Sequence, residues 1–421
     1  MNKFLLGFIS WLSLNTVQAQ NTVTLEQAYT AAIQNYPLTR QKEMGQQAGD
    51  LALANLDLNR RLPQLALNGQ ATWQSEVTKL PIELPNIKVP QLSKDQYRLT
   101  LDASYLLYDG GLTKLQQQVQ QANTAIEQQR VDVELNRLKD QVNTFFLNAL
   151  LTDENRQLTE ALLADLKNRI EKTAANVKFG TAAQLNLDAL QAEYLKAEQR
   201  LAELTAVRKG LRDLLALLTG LPVTETTTLQ IADNSLATDN LPIQRPELKL
   251  YSLQRSLFED QTKLTDNRRF PRISAFAQPG IGRPGLNFLN NDFRSFFIGG
   301  IRLNWAFNNT YTLKNDRQIL SLNRQQVDIQ QAAFEKNLSI QLRQQQNEVE
   351  RIQAIIEKDR DIVALRSRIR QATAVQLDNG AIAARDYATE LNAENQAQLN
   401  LKVHELQLIM ARIQYRTLTG N

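Results

Sequence analysis

Two periods of hydrophobicity divide the chain. Between Leu112 and Lys178, and again between Thr310 and Asn379, apolar residues recur at three- and four-residue steps with no Gly or Pro to interrupt them. Leu112, Leu115, Val119, Ala122 and Ile126 open one stripe, and Leu158, Leu162, Leu166 and Ile170 continue it. Gln, Leu, Ala, Glu, Lys and Arg fill the positions between, and all are good helix formers. The spacing predicts long amphipathic helices of coiled-coil character. A continuous helical path of this kind measures on the order of 100 Å, more than an ordinary globular domain uses.

Elsewhere the period falls to two. From Tyr97 to Tyr108 the odd positions are apolar and most even ones polar. Leu65, Leu67, Gly69, Ala71 and Trp73 alternate with Asn68, Gln70, Thr72 and Gln74, and Phe297, Gly299, Ile301, Leu303, Trp305 and Phe307 form a matching apolar face against Arg302 and Asn304. A fourth strand is expected from Arg272 to Gln278, where Phe276 falls on the otherwise polar side. The intervening segments, 80–95 and 279–292, are rich in Pro or in Gly and Asn and read as loops.

These elements occur twice. Gly180 and Gly220 bound one helix and Gly380 and Gly420 another, and each ends on Leu-Thr-Gly at 218–220 and 418–420. Arg60-Arg61-Leu62-Pro63 is mirrored by Arg268-Arg269-Phe270-Pro271, Pro37 by Pro246, and Tyr108-Asp109-Gly110 by Phe307-Asn308-Asn309. The expected organisation is a leader over 1–19, a first repeat over 20–220 with a hairpin at 64–108, a linker over 221–245, and a second repeat over 246–421 with a hairpin at 272–307. Lys3, the apolar run from Phe4 to Leu12 and the small residues at Val17 and Ala19 make the leader a cleaved signal peptide, with cleavage before Gln20; an N-terminal anchor is the competing reading. No later stretch is apolar for the eighteen or so residues that a membrane helix needs.

An exported chain with dyad strands and one apolar strand face has the pattern of a membrane barrel. Leu99, Leu101, Ile301 and Leu303 share the apolar parity and are the candidate lipid-facing residues. Thr100 has the opposite parity and is expected to tolerate Arg. Trp73, Trp305, Tyr97, Tyr105, Tyr108 and Phe307 suit the headgroup interface. A soluble β-sandwich would also use such strands; the leader and the long helices weigh against it. Unpaired strand edges cannot face hydrocarbon, and single-chain barrels begin at eight strands, so four strands per chain imply a barrel shared among several chains.

At this point the motifs become specific. Val23-Thr24-Leu25-Glu26-Gln27-Ala28 followed by Asn35-Tyr36-Pro37, then Leu106-Leu107-Tyr108-Asp109-Gly110-Gly111, then Phe179-Gly180-Thr181 through Leu187-Asp188-Ala189-Leu190-Gln191-Ala192-Glu193, resemble in order and spacing the TolC-like outer-membrane factor family. The resemblance spans essentially the whole mature chain. It implies a fold that is mainly α with membrane β: a long coiled-coil-like α-helical barrel continuous with an oligomeric transmembrane β-barrel, four strands per chain, tandem duplicated. It implies a homotrimer with a twelve-stranded barrel in the outer membrane of a Gram-negative bacterium, extending into the periplasm. Its partners would be a periplasmic adaptor (membrane fusion) protein and an inner-membrane transporter, and its role the exit duct of a drug-efflux or type I secretion system. A periplasmic coiled-coil adaptor or structural protein without a pore is the alternative. Many relatives carry a lipid-modified Cys at the mature N-terminus, and this chain contains no Cys.

The resemblance also assigns roles. The turns at Phe179, Gly180, Thr181 and at Asn379, Gly380, Ala381 correspond to the periplasmic tip that meets the adaptor. Six residues past each turn Gly come Asn186 and Asp386. Asp386 matches an aperture carboxylate of the family, so that a threefold axis would gather three of them into an acidic ring; an ordinary solvated helix charge is the plainer reading. Asn186 has lost the corresponding charge. The family's second aperture carboxylate is Thr389 here, and the Arg typical of its turn is Ile382, with Arg385 close enough to substitute.

Composition removes most other chemistry. Zero Cys excludes disulfides, thiolate zinc sites and cysteine nucleophiles, and a single His, His404, excludes multi-His metal sites. The net charge of +4 arises from 48 basic and 44 acidic residues that are interspersed, which gives no nucleic-acid signature. No cofactor and no catalytic constellation is expected. Gly280-Ile281-Gly282-Arg283-Pro284-Gly285 spells a dinucleotide fingerprint, but prolines interrupt it and a strand follows instead of a helix; it reads as an exposed loop. Asp359 and Asp361 stand in a mixed-charge run that reads as a solvated helix face.

Overall fold

The computed structural model describes residues 22–78, 92–232 and 241–420. The predicted leader with its cleavage site, most of the 80–95 loop and the centre of the linker lie outside the described residues. The elements run, in chain order, β1 (Thr22–Thr24), α1 (Leu25–Asn35), α2 (Leu38–Arg61), β2 (Gln64–Trp73), β3 (Asp95–Tyr108), α3 (Leu112–Lys178), α4 (Gln184–Thr219), β4 (Thr228–Gln230), α5 (Pro246–Asp266), β5 (Arg272–Arg283), β6 (Arg294–Asn304), α6 (Leu313–Asp378) and α7 (Ala384–Thr419). The two Gly- and Pro-free stretches are therefore single helices of 67 and 66 residues, each followed by one of 36. No described helix is both long and apolar enough to cross a membrane.

The chain forms two compact units, and the division falls inside α3 and α6, so that each unit draws on both sequence repeats. One unit holds α2, α5, the four long strands and the first parts of α3 and α6. Its sheet has the order β2-β3-β5-β6, antiparallel throughout. β5 runs to Arg283, five residues further than the alternation indicated, because it pairs on both sides: Gly280 lies opposite Thr100 and Phe296, and Gly282 opposite Arg98 and Arg294. The glycine-rich sequence is thus largely strand and not loop. A Cβ at Gly280 would come within 2.6 Å of Phe296 and 2.9 Å of Thr100, which accounts for Gly there. The β3–β5 pairing lapses opposite Gln278 and Pro279, where proline has no N–H to give. β6 ends at Asn304, so Trp305 and Phe307 leave the strand; Phe307 begins a short 3-10 turn.

The strand-to-helix transition after β3 is closed by Asp109. Its carboxylate accepts from the Gly111 and Thr113 N–H groups at 2.8 and 2.9 Å and from the Thr113 hydroxyl at 2.7 Å, satisfying the open start of α3. Gly110 sits at φ +68° with its carbonyl held by Asn267 Nδ2 at 2.5 Å, and any Cβ there would strike Phe270.

The other unit holds β1, α1, the remainder of α3 and α6, α4, β4 and α7. Thr24 caps α1 through a reciprocal capping box with Gln27. The linker contributes more than a connection. Its Thr-rich part forms β4, which pairs in parallel with β1, a two-residue-period element too short to read from sequence. Leu25, Ala28, Val142, Phe146, Leu215, Val223, Leu229 and Ile413 bury a common core around that pair. Arg212 anchors the linker: it is buried, donates to the Thr224 and Thr227 carbonyls at 2.6 and 2.7 Å, and pairs with Asp153 at 2.7 Å.

Candidate functional site

The helix ends at 178–184 and 378–384 share one geometry. Gly180 and Gly380 lie at φ +73° and +71°. Each donates its N–H three residues back, to Val177 and Leu377, while Thr181 and Ala381 donate five residues back, to Asn176 and Gln376, at 2.8 Å. This is the Schellman closure of a helix C-terminus, and it requires a left-handed residue where both repeats carry Gly. The two turns then differ in what they show to solvent. Phe179 is 79% exposed and Leu185 is exposed beside it, whereas the equivalent positions in the second repeat are Asn379 and Arg385.

Behind the turns the four helix ends pack on one apolar cluster of Leu166, Leu190, Ala197, Ala374, Ala384, Tyr387 and Leu391. Ile382 packs against it, which is why an apolar residue stands where the resembled family has Arg. Tyr387 is fully buried. Its hydroxyl donates to Asp165 at 2.8 Å, and the Arg169 guanidinium lies 4.8 Å above its ring while pairing with Asp378 at 2.8 Å. Burial, together with the hydrogen bond to Asp165, holds the Tyr387 phenol above its ordinary pKa, so it stays a donor. Two further links tie α6 to α7: Arg366 to Glu390 at 3.0 Å, and Arg370 to the 5%-exposed Glu394 at 2.7 Å.

Asp386 lies in the first turn of α7, exposed, and makes no ion pair among the described residues. Arg385 is exposed beside it. Asn186 is instead engaged: its side-chain oxygen accepts the Ala384 N–H at 3.2 Å, capping a helix whose own N-cap residue, Ala383, offers no side chain for the task. The structure brings Asn186 to the start of α7 as a cap. Asp165, Arg169, Tyr387, Arg370 and Glu394 were not among the residues the sequence singled out. Tyr387 lay on a visible stripe, Ala384, Tyr387, Ala388, Leu391, but Glu394 on the same face reads as a polar break until Arg370 is seen opposite it.

In the sheet-bearing unit, Leu99, Leu101, Ile301 and Leu303 are all exposed, as are Leu65, Leu67 and Phe297 on the same parity. Thr100 differs from expectation. It is only 4% exposed, enclosed beside Gly280 and Phe296, so Arg has no room there. Asp359 also departs from the surface reading: it is buried and pairs with His404 at 2.5 Å. Among the described residues no trio of His, Asp or Glu is placed to hold a metal ion.

No protein-family profile matches the chain, and no curated protein matches it. Its fold, however, is that of outer-membrane channels of the α-helical barrel plus β-barrel type. The solved structures it is similar to include CusC, described as forming a transmembrane channel (TM-score 0.70, 16% identity, 94% of this chain and 92% of that one). They also include the outer membrane protein VceC of Vibrio cholerae (0.67, 14%, 94% and 96%) and the MtrE outer membrane channel of Neisseria gonorrhoeae (0.65, 14%, 94% and 89%).

Proposed function

We propose that this chain is the outer-membrane exit duct of a tripartite efflux or type I secretion system. The observation that carries the reading is the four-stranded sheet. One face exposes Leu65, Leu67, Leu99, Leu101, Phe297, Ile301 and Leu303, and the outer edges of β2 and β6 have no strand partner among the described residues. In lipid such edges must be paired. Because β2 and β6 run antiparallel at the two ends of an even-stranded sheet, copies can join head to tail and close a ring. Three copies give the twelve strands that the family resemblance implies.

Exposed apolar side chains on the helices support the same assembly. Met44, Leu51 and Leu58 on α2 recur every seven residues, as do Leu322 and Ile329 on α6, and all are exposed. A heptad-spaced stripe facing solvent is half of a coiled-coil seam, and a neighbouring copy supplies the other half. The turn residues Phe179, Gly180, Thr181, Asn379, Gly380 and Ala381 are then the docking tips for a periplasmic adaptor that links the duct to an inner-membrane transporter. Asp386, with Arg385 beside it, lines the periplasmic aperture. The similarity to CusC, a transmembrane channel by description, and to VceC and MtrE, outer-membrane proteins by description, fits this assignment.

The test is fractionation of cells expressing the full chain, followed by planar-bilayer recording. A heat-modifiable oligomer in the outer membrane that conducts ions is the expected result. A soluble periplasmic species without conductance would replace this reading with that of a bridging coiled-coil protein.

A further inference from the structure

The polar face of the sheet is not charge-neutral. Strand alternation and cross-strand register place Arg98 and Asp102 of β3, Arg272 of β5, and Arg294 and Arg302 of β6 on that face, so four guanidinium groups stand against one carboxylate. β2 contributes only Gln64, Ala66, Asn68, Gln70 and Thr72 to it. Solvating the face needs nothing more than such neutral residues, so the arginines call for another explanation. Asp102 does not neutralise them: its carboxylate is occupied by the amides of Asn68 and Gln278, and among the described residues it makes no ion pair. Among the described residues Arg294 makes one ion pair, with Asp292 at 3.8 Å, and both side chains are mostly exposed.

Two of these arginines stand over aromatic rings on the same face. The Arg302 guanidinium lies 4.7 Å from the Phe276 ring centre, and Arg98 lies 5.9 Å from that of Phe296. Phe276 is the residue that broke the alternation of its strand, and Phe296 matches it on β6. Each pair offers a cation with open donors next to an apolar ring. A guanidinium fork binds carboxylate or sulfonate oxygens in its plane, and an adjoining Phe accepts the flat apolar part of the same molecule. Repeated around a closed barrel with low-dielectric walls, the unpaired charges sum to a positive interior potential.

We propose that this face is an anion-attracting exit lining that takes organic anions bearing a flat apolar ring. The proposal rests on the duct reading, in which the polar face is the lumen. Asp386 belongs to a separate zone of opposite sign, so the comparison is made between variants that all retain it.

The experiment is bilayer recording of the full-length oligomer across a KCl gradient, with 2-naphthoate and 2-naphthylmethylammonium added as blockers. Wild type is expected to be blocked by the naphthoate in preference to the ammonium. Arg98→Gln with Arg302→Gln should move the reversal potential toward cation preference and abolish that bias. Arg98→Lys with Arg302→Lys should keep the reversal potential but weaken naphthoate block about threefold, since it retains charge and loses the planar stack. Equal block of wild type by the two naphthyl compounds overturns the proposal without any variant. So do conducting Gln variants whose reversal potential and block are unchanged, and both results leave the duct reading intact. Wild-type oligomer that never conducts overturns the duct reading, and this proposal with it.

Discussion

The hydroxyl of Tyr387 donates to the carboxylate of Asp165 at 2.8 Å, joining α7 to α3 beneath the helix turns. The two residues come from different repeats and are 222 positions apart. Tyr387 fills the apolar cluster with its ring and satisfies a half-buried carboxylate with its tip, so one residue supplies both the packing and the polar link.

Replacing Tyr387 by Phe keeps the volume and removes only the hydroxyl. The loss of a hydrogen bond to a charged, part-buried group should cost about 2 kcal/mol, and Ala in its place about 3–5 kcal/mol because a cavity is added. Denaturant unfolding of the detergent-solubilised protein reads both. Equal costs would mean that the hydrogen bond, and not the ring, dominates.

Asp386→Asn should lower cation preference and weaken block by multivalent cations in single-channel recordings, since an exposed carboxylate repeated about an axis attracts cations. Unchanged selectivity would place Asp386 away from the constriction.

On the sheet, Leu101→Arg should cost roughly 2–4 kcal/mol if it meets the middle of the membrane. The proper control is Asn68→Arg, whose position is exposed and has the opposite parity, because Thr100 is enclosed. The readout is the yield of assembled oligomer in the outer membrane, and similar losses at the two sites would reject the outward assignment of Leu101.

Ala381→Trp should abolish export while leaving the amount of folded oligomer unchanged. Ala381 uses its backbone N–H to close the turn, and its side chain is exposed, so bulk there obstructs a partner and not the fold. Loss of the oligomer would assign the turn a structural role only.

Asp109 ties stability to pH. Burial pushes its carboxyl up, but the hydrogen bonds from Thr113 and Gly111 and the charge of Arg60 outweigh this and hold it below the ordinary range. A carboxyl depressed in the folded state stabilises above its unfolded pKa, near 3.9, and that contribution fades as pH falls toward the folded value. Asp109→Asn should therefore lower the melting temperature at pH 7 by the equivalent of about 1 kcal/mol and lose its disadvantage as the pH is lowered below about 4. A constant gap between variant and wild type across that range would show that the charge is not what caps α3.

Local spacing and propensity set the elements with strong period, and these were legible in the chain: the two long helices free of Gly and Pro, α3 and α6, the strands with clean alternation, and the duplicated landmarks. The sequence also located the turn glycines, since a Schellman closure demands a left-handed residue at a fixed offset. Tertiary structure decided the rest. β5 extends through Gly280 and Gly282 because strands on both sides supply its hydrogen bonds, which no local pattern records. β1 and β4 exist only as partners of each other, 206 residues apart by their register at Thr22 and Thr228. Asn186 becomes a cap and Glu394 a buried ion because Ala384 and Arg370 lie opposite them. A polar residue's role depends on which group faces it across the packing, and that partner is chosen by the fold, not by neighbours in the chain.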